Sequence, residues 1–187
     1  KIIDNFLEQR KFNELEYLIM GDHAEIISQG SEKFAWYYND IIAYETDIDK
    51  FMFNHMFYFN GAPCSRHFNS MLPLLEIINP ISIGRIKANL LTRTPNIIKN
   101  TFHVDMGRIY KDGVETDISI HEELLKHATT SIFYLNTNNG YTEFEYGTKV
   151  ESVANRMITF PSNLKHHGTT CTDEKRRIVV NFNYFKK

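Results

Sequence analysis

His103, Asp105 and a histidine far downstream are the residues whose types and spacing could hold a metal ion while leaving it open to other ligands. In the tripeptide His103-Val104-Asp105 the first and third side chains point to one side of an extended backbone, so a single ion can take both. His166 stands 61 positions beyond Asp105, with His167 beside it, and either ring could complete a set of two histidines and one carboxylate. Such a set covers one face of an iron(II) ion and leaves the opposite positions for dioxygen and a chelating co-substrate. Neighbours on an extended chain face opposite ways, so only one of the two histidines can serve. Arg176 and Arg177 pose the same choice. Ile178, Val180 and Phe182 form an apolar face in phase with Arg176, whereas Arg177 shares its side with Val179, Asn181 and Asn183. A guanidinium on that polar side could grip a carboxylate through two parallel N–H bonds.

The elements that must position these groups read as β from Ile83 onward. Arg85–Leu91, Asn100–Asp105, Thr130–Leu135, Tyr141–Tyr146, Lys149–Ala154, Arg156–Phe160 and Arg176–Phe185 are short runs separated by Asn, Gly, Pro and Thr clusters. Many short strands at this spacing predict a sandwich or jelly roll, whose interior can enclose a small site. Upstream, Asn5 and Glu8 have capping-box spacing, and Phe12, Leu15, Leu18 and Ile19 recur at helical intervals. Phe34–Tyr38 and Phe51–Phe59 read as strands or edge segments packed on that N-terminal helix. Leu72–Ile78 reads as a helix with Pro73 in its first turn and Asn79-Pro80 as its stop. The expectation is a single mainly β (α+β) domain spanning residues 1–187. Residues 1–82 would give helical and edge-strand support, and residues 83–187 the jelly-roll core.

A length of 187 residues suits one domain, and 42% hydrophobic residues suffice for its core. A formal net charge of -2 and a pI near 6.5 argue against a nucleic-acid partner. Cys64 and Cys171 lack any paired spacing and fit a reducing compartment. No apolar run approaches the roughly 18 residues of a membrane span, and the first residues lack the basic-then-apolar pattern of a signal peptide. A cytoplasmic protein with no membrane partner is therefore expected. The first residue is Lys, so an initiator Met or short leader is expected upstream.

The surroundings of the candidate ligands add a resemblance. Phe160-Pro161-Ser162-Asn163-Leu164-Lys165-His166 leads into the distal histidine, and Arg177-Ile178-Val179-Val180-Asn181-Phe182-Asn183-Tyr184 follows it. With Phe133-Tyr134-Leu135-Asn136 and Asn139-Gly140-Tyr141-Thr142-Glu143-Phe144 between, the chain resembles the 2-oxoglutarate- and Fe(II)-dependent dioxygenases. The nearest branch is that of the small prolyl-4-hydroxylase-like oxygenases of phage and marine microbes, which implies a phage-encoded protein made in a host cytoplasm.

The resemblance implies a double-stranded β-helix (jelly roll) with N-terminal helices packed on one sheet. It implies Fe(II) held by His103, Asp105 and His166, the last chosen over His167 by motif position. His167 would then face solvent or sit behind the ligands. Arg177 would hold the far carboxylate of 2-oxoglutarate, and Tyr134, Asn89 and Thr142 would be further contacts to that co-substrate. The family's usual Gly-Gly-x-Thr reads Asn139-Gly140-Tyr141-Thr142 here, so one glycine of that turn is replaced. Dioxygen would be the oxidant, and ascorbate a candidate reductant. The implied reaction hydroxylates a C–H bond of a protein side chain, prolyl-like, or of a small molecule, with release of succinate and carbon dioxide. A carboxylate at Asp105 argues against halogenation, because the family's halogenases carry a small residue there. The alternative is a catalytically silent metal- or ligand-binding jelly roll. His23, His55, His67, His121 and His127 have no counterpart in the family's motifs.

Overall fold

Alternation along one long strand divides the molecule into a packed side and a hollow side. In the computed structural model, which describes residues 1–21, 34–42, 49–105, 110–111, 114–115, 123 and 125–186, that strand runs Arg176–Phe185. In chain order the described elements are β1 (Ile2–Ile3), α1 (Gln9–Met20), β2 (Tyr37–Asn39), β3 (Met52–Phe59), β4 (Ala62–Pro63), and a 3-10 turn (Phe68–Met71) running into α2 (Leu72–Ile78). They continue with β5 (Ser82–Thr92), the hairpin β6 (Tyr110–Lys111) and β7 (Val114–Glu115), β8 (Ala128–Tyr134), β9 (Asn138–Phe144) and β10 (Lys149–Ser152). The last are β11 (Arg156–Pro161), β12 (His166–Gly168) and β13 (Arg176–Phe185).

The large antiparallel sheet runs β1-β11-β8-β13-β5-β3-β2, with β4 paired to β3, and a smaller sheet runs β10-β9-β12. On the outer face of the large sheet, Ile178, Val180, Phe182 and Tyr184 of β13 join Ile86, Ala88 and Leu90 of β5. They pack there against Phe12, Leu15 and Ile19 of α1 and Leu74 of α2. Burying apolar side chains of this size is worth roughly 1.5–3 kcal/mol each, which holds the helices on that face. Between the two sheets a smaller apolar cluster of Ile132, Tyr134, Phe144, Val150, Ile158, Phe160 and Val179 lines one flank of the interior. This mainly β jelly roll with helices on one sheet is the architecture expected from the sequence.

Several elements differ from expectation. Asn5 does not cap α1: it has a left-handed φ of 51°, and Glu8 is the N-cap, with no side-chain cap bond. The chain entering α1 is clamped instead by Asn155, whose side chain accepts from the Leu7 amide at 2.9 Å and donates to the Leu7 carbonyl at 2.9 Å. A distant partner thus fixes the entry of the chain, and no side chain caps the helix. Asn100–Asp105 is not a continuous strand; its pairing with β12 is an isolated bridge between His103 and His166, with Lys99 bridging Thr169 just before it. The amide of Asn100 reaches the Gly168 carbonyl at 3.1 Å, so the segment runs beside the small sheet without completing a ladder. β1 and β12 are strands that the sequence pattern did not reveal, each too short to show a period. The stop of α2 is as expected, with Asn79 in a left-handed conformation at φ 50°. Phe34–Tyr38 contributes only Tyr37–Asn39 as strand, and His23 and His121 lie outside the described residues. Among the described residues, no helix is long and apolar enough to cross a membrane.

Candidate active site

His103, Asp105 and His166 come together between the sheets, their nearest ligand atoms all within 4.8 Å of one another. The reciprocal backbone pair between His103 and His166, 3.0 Å in each direction, brings the two rings to one side, with centroids 5.1 Å apart. Each ring is oriented by a carbonyl two residues before it: Nδ1 of His103 donates to Thr101 O at 2.9 Å and Nδ1 of His166 to Leu164 O at 3.1 Å. With the proton on Nδ1, both Nε2 lone pairs are free and point at Asp105 Oδ1, at 3.7 and 3.8 Å. Asp105 is oriented in turn. Its Oδ2 accepts from Asn181 Nδ2 at 2.9 Å and Asn183 Nδ2 at 3.3 Å, which leaves Oδ1 facing the imidazoles, with Arg85 Nη2 at 3.6 Å. Two nitrogens and one oxygen, each fixed from behind, fit a facially bound iron(II).

Charge is concentrated here. Burial opposes ionisation of Asp105, but His103, His166 and Arg85 outweigh it and hold the carboxyl well below the usual range. Burial also opposes the charged ring of His103, and the neighbouring Asp105 carboxylate with the Thr101 carbonyl outweighs it, so its pKa is raised. In His166, packed edge-on against Phe160 at 4.8 Å, burial prevails and the pKa is lowered.

Arg177 occupies the other end of this interior. It is 3% exposed, with Nε donating to Ser152 Oγ at 2.8 Å and Nη2 to Thr142 Oγ1 at 3.2 Å, and its guanidinium lies 5.6 Å from the centroid of the Tyr134 ring. Tyr134 OH donates to the same Thr142 oxygen at 2.8 Å. Arg177 pairs with no carboxylate among the described residues, and burial lowers its pKa. A buried guanidinium whose neighbours are hydroxyls keeps unused donor capacity for an anion. Two glycines make room for it. A Cβ on Gly140 would lie 2.7 Å from Arg177 Cδ, and one on Gly168 3.1 Å from Nη1. Asn139, where the motif has its first glycine, is accommodated at the rim, donating from Nδ2 to Thr172 Oγ1 at 2.6 Å.

The structure thus gathers His103, Asp105 and His166 into one cluster and Arg177, Tyr134 and Thr142 into a second. Asn89 stands on the same interior face, opposite Val179, but bonds to neither group, and its buried Oδ1 has no hydrogen-bond partner among the described residues. His167 is turned away from the metal ligands. It is not solvent-facing: 1% exposed, it packs edge-on against Phe102 at 4.5 Å and lies 3.2 Å from Glu143, which Lys99 also pairs at 2.9 Å. Arg176 lies on the helix side, donating to the Met20 carbonyl at the end of α1. The sequence reading did not single out Arg85 or Ser152 as part of the site, nor assign Asn181 and Asn183 their hold on Asp105. Strict alternation with Ile86, Ala88 and Leu90 on β5 was the available signal for Arg85.

No family model matches the chain, and no curated protein matches it. Solved structures do. A prolyl hydroxylase from Trichoplax adhaerens, in complex with a peptide fragment of the hypoxia inducible factor oxygen degradation domain, superposes with a TM-score of 0.62 at 12% identity, over 99% of this chain and 82% of that one. The non-heme alpha ketoglutarate dependent carbocyclase SnoK from nogalamycin biosynthesis gives 0.58 at 10% identity, over 99% and 78%. HygX from Streptomyces hygroscopicus, with nickel and 2-oxoglutarate bound, gives 0.53 at 9% identity, over 100% and 82%. The fold is therefore the one shared by 2-oxoglutarate- and iron-dependent oxygenases.

Proposed function

We propose that this protein is an Fe(II)- and 2-oxoglutarate-dependent dioxygenase that hydroxylates a C–H bond of a protein side chain or a small molecule. The observation that carries this reading is a buried Arg177, paired with no carboxylate among the described residues, at one end of an interior whose other end holds two imidazoles and a carboxylate around one point. A dicarboxylate that must touch both a metal and an arginine suits that pair of sites. His103 Nε2, His166 Nε2 and Asp105 Oδ1 would hold the iron, and Asn181 and Asn183 keep Asp105 in its orientation. Arg177 would take the far carboxylate of oxoglutarate, with the Thr142 and Tyr134 hydroxyls beside it, and Asn89 would be a further polar contact. Ile132, Phe144, Phe160 and Val179 keep water from that flank of the site, which strengthens each of these polar contacts. Iron held there would supply, with oxoglutarate and dioxygen, the oxidising power for hydroxylation, one oxygen atom going to the substrate and the other to succinate as carbon dioxide is lost.

The prolyl hydroxylase neighbour supports a peptide substrate and the carbocyclase a small molecule. The reading is tested by titrating 2-oxoglutarate into manganese(II)-loaded protein under calorimetry. One equivalent should bind, and only when metal is present. Equal binding to metal-free protein, or none to loaded protein, would remove the co-substrate role.

A further inference from the structure

Lys87 projects from β5 onto the interior face of the large sheet, where a solvated lysine would have no reason to be. Its cross-strand neighbours are Asn181 of β13, which holds the metal-binding carboxylate, and Met56 of β3. Lys87 is partly buried, and among the described residues it makes no hydrogen bond or ion pair. Burial, with the charge of Arg85 beside it, pushes its pKa down to about 8, and the pull of Asp105 only partly offsets this. Asp105 is itself already occupied by Asn181, Asn183 and the two imidazoles. Two further polar groups in the same patch, Asn181 Oδ1 and Asn89 Oδ1, are buried with no hydrogen-bond partner among the described residues. An unpaired ammonium with two orphaned amide oxygens on one wall describes a ligand that brings an anion and a neighbouring hydrogen-bond donor.

Resting on the function proposed above, we propose that Lys87 anchors an anionic group of the substrate, so that the substrate class is a carboxylate-bearing molecule with an adjacent N–H or O–H, such as an N-acyl amino acid or an acidic peptide end. Oxoglutarate's far carboxylate is already provided for, because Arg177 stands opposite Leu91, four residues from Lys87 along β5, or roughly 13 Å. The guanidinium of Arg177 is held by Thr142 of β9 and Ser152 of β10, both on the small sheet. The face bearing Lys87 continues instead along the large sheet, onto Asn54 of β3 and Tyr37 of β2 at its edge. A molecule entering from that edge would meet the ammonium beside the metal ligands.

The test uses manganese(II)-loaded protein with saturating 2-oxoglutarate and reads manganese-enhanced proton relaxation of added N-acetyl amino acids, proline included, and of their primary amides. At least one acid should bind about tenfold more tightly than its amide. Lys87→Met should remove that preference and Lys87→Arg retain it, with oxoglutarate affinity within about twofold of wild type in both. Equal binding of acids and amides, no selective binding of any acid, or a preference that survives Lys87→Met overturns the proposal. Loss of oxoglutarate binding in Lys87→Met would assign the ammonium to the near carboxylate of the co-substrate and also overturn it. Failure of wild-type protein to bind oxoglutarate would fall on the dioxygenase reading instead, and is seen before any acid is added.

Discussion

Replacing Arg177 by alanine should separate the two halves of the site. The guanidinium is 3% exposed and held by Ser152 and Thr142, so its loss leaves a carboxylate in the same enclosure facing only the Thr142 and Tyr134 hydroxyls. Removing one partner of such a desolvated, charge-assisted pair costs about 2 to 5 kcal/mol, or roughly 30-fold to several thousand-fold in affinity at 1.4 kcal/mol per decade. His103, His166 and Asp105 have their own supports, Thr101, Leu164, Asn181 and Asn183, and among the described residues Arg177 bonds to none of these. Calorimetry should therefore show manganese(II) binding within about threefold of wild type and oxoglutarate binding weakened at least 30-fold. Arg176→Ala is the control. Its side chain ties β13 to the Met20 carbonyl on the helix face, so it should lower thermal stability and leave oxoglutarate affinity unchanged. Equal weakening of oxoglutarate binding in the two variants would refute the strand phase and the pocket built on it.

Other outcomes follow from the same geometry. His103→Ala, Asp105→Ala and His166→Ala should each lose bound metal, whereas His167→Ala should keep it and lose stability through the Glu143 and Phe102 contacts; metal content by mass spectrometry decides, and retention by His166→Ala with loss in His167→Ala would reverse the assignment. Gly140→Ala should weaken oxoglutarate binding at unchanged metal affinity, because a Cβ there meets Arg177 Cδ at 2.7 Å and the Thr170 carbonyl at 2.8 Å; a calorimetric titration matching wild type would count against the cradle. Lys87 bears on stability as well as on ligands. With its folded pKa near 8 and its unfolded value near 10.5, the folded state disfavours the proton, so metal-free protein should gain stability as pH rises from about 8 to 10.5. The charged form costs the fold on the order of 3 kcal/mol below that window, and Lys87→Met should stabilise the metal-free protein at pH 7 and flatten the rise, as read by urea unfolding.

The cluster of His103, Asp105 and His166 was legible because the first two sit at i and i+2, and because the motif before His166 pointed to that ring where alternation alone left His166 and His167 open. The face of Arg177 was legible from a 10-residue strand long enough to show its period. What escaped has physical causes. On β5, polar Arg85, Lys87 and Asn89 alternate with apolar Ile86, Ala88 and Leu90, and that pattern is the same whether the polar side meets water or the hollow of a roll. Only the second sheet, contributed by residues about 50 positions downstream, turns that face into an interior. Asn100–Asp105 reads as a strand by composition, yet pairing is decided by what lies beside it, and β12 offers it only isolated bridges. Asn5 likewise had the spacing of a cap, but Asn155, 150 positions away, holds the backbone of Leu7 just ahead of the helix and leaves Asn5 outside it.

Oxoglutarate turnover tests the central claim most directly. Protein loaded with Fe(II) and supplied with oxygen, ascorbate and 2-oxoglutarate should release succinate above a protein-free control, at a rate raised by one or more members of a panel of peptides and carboxylate metabolites. Asp105→Ala should abolish the release by losing the metal, and Arg177→Ala by losing the co-substrate. Wild-type protein that binds its metal and yet forms no succinate, alone or with any panel member, would contradict the account and leave a ligand-binding jelly roll in its place.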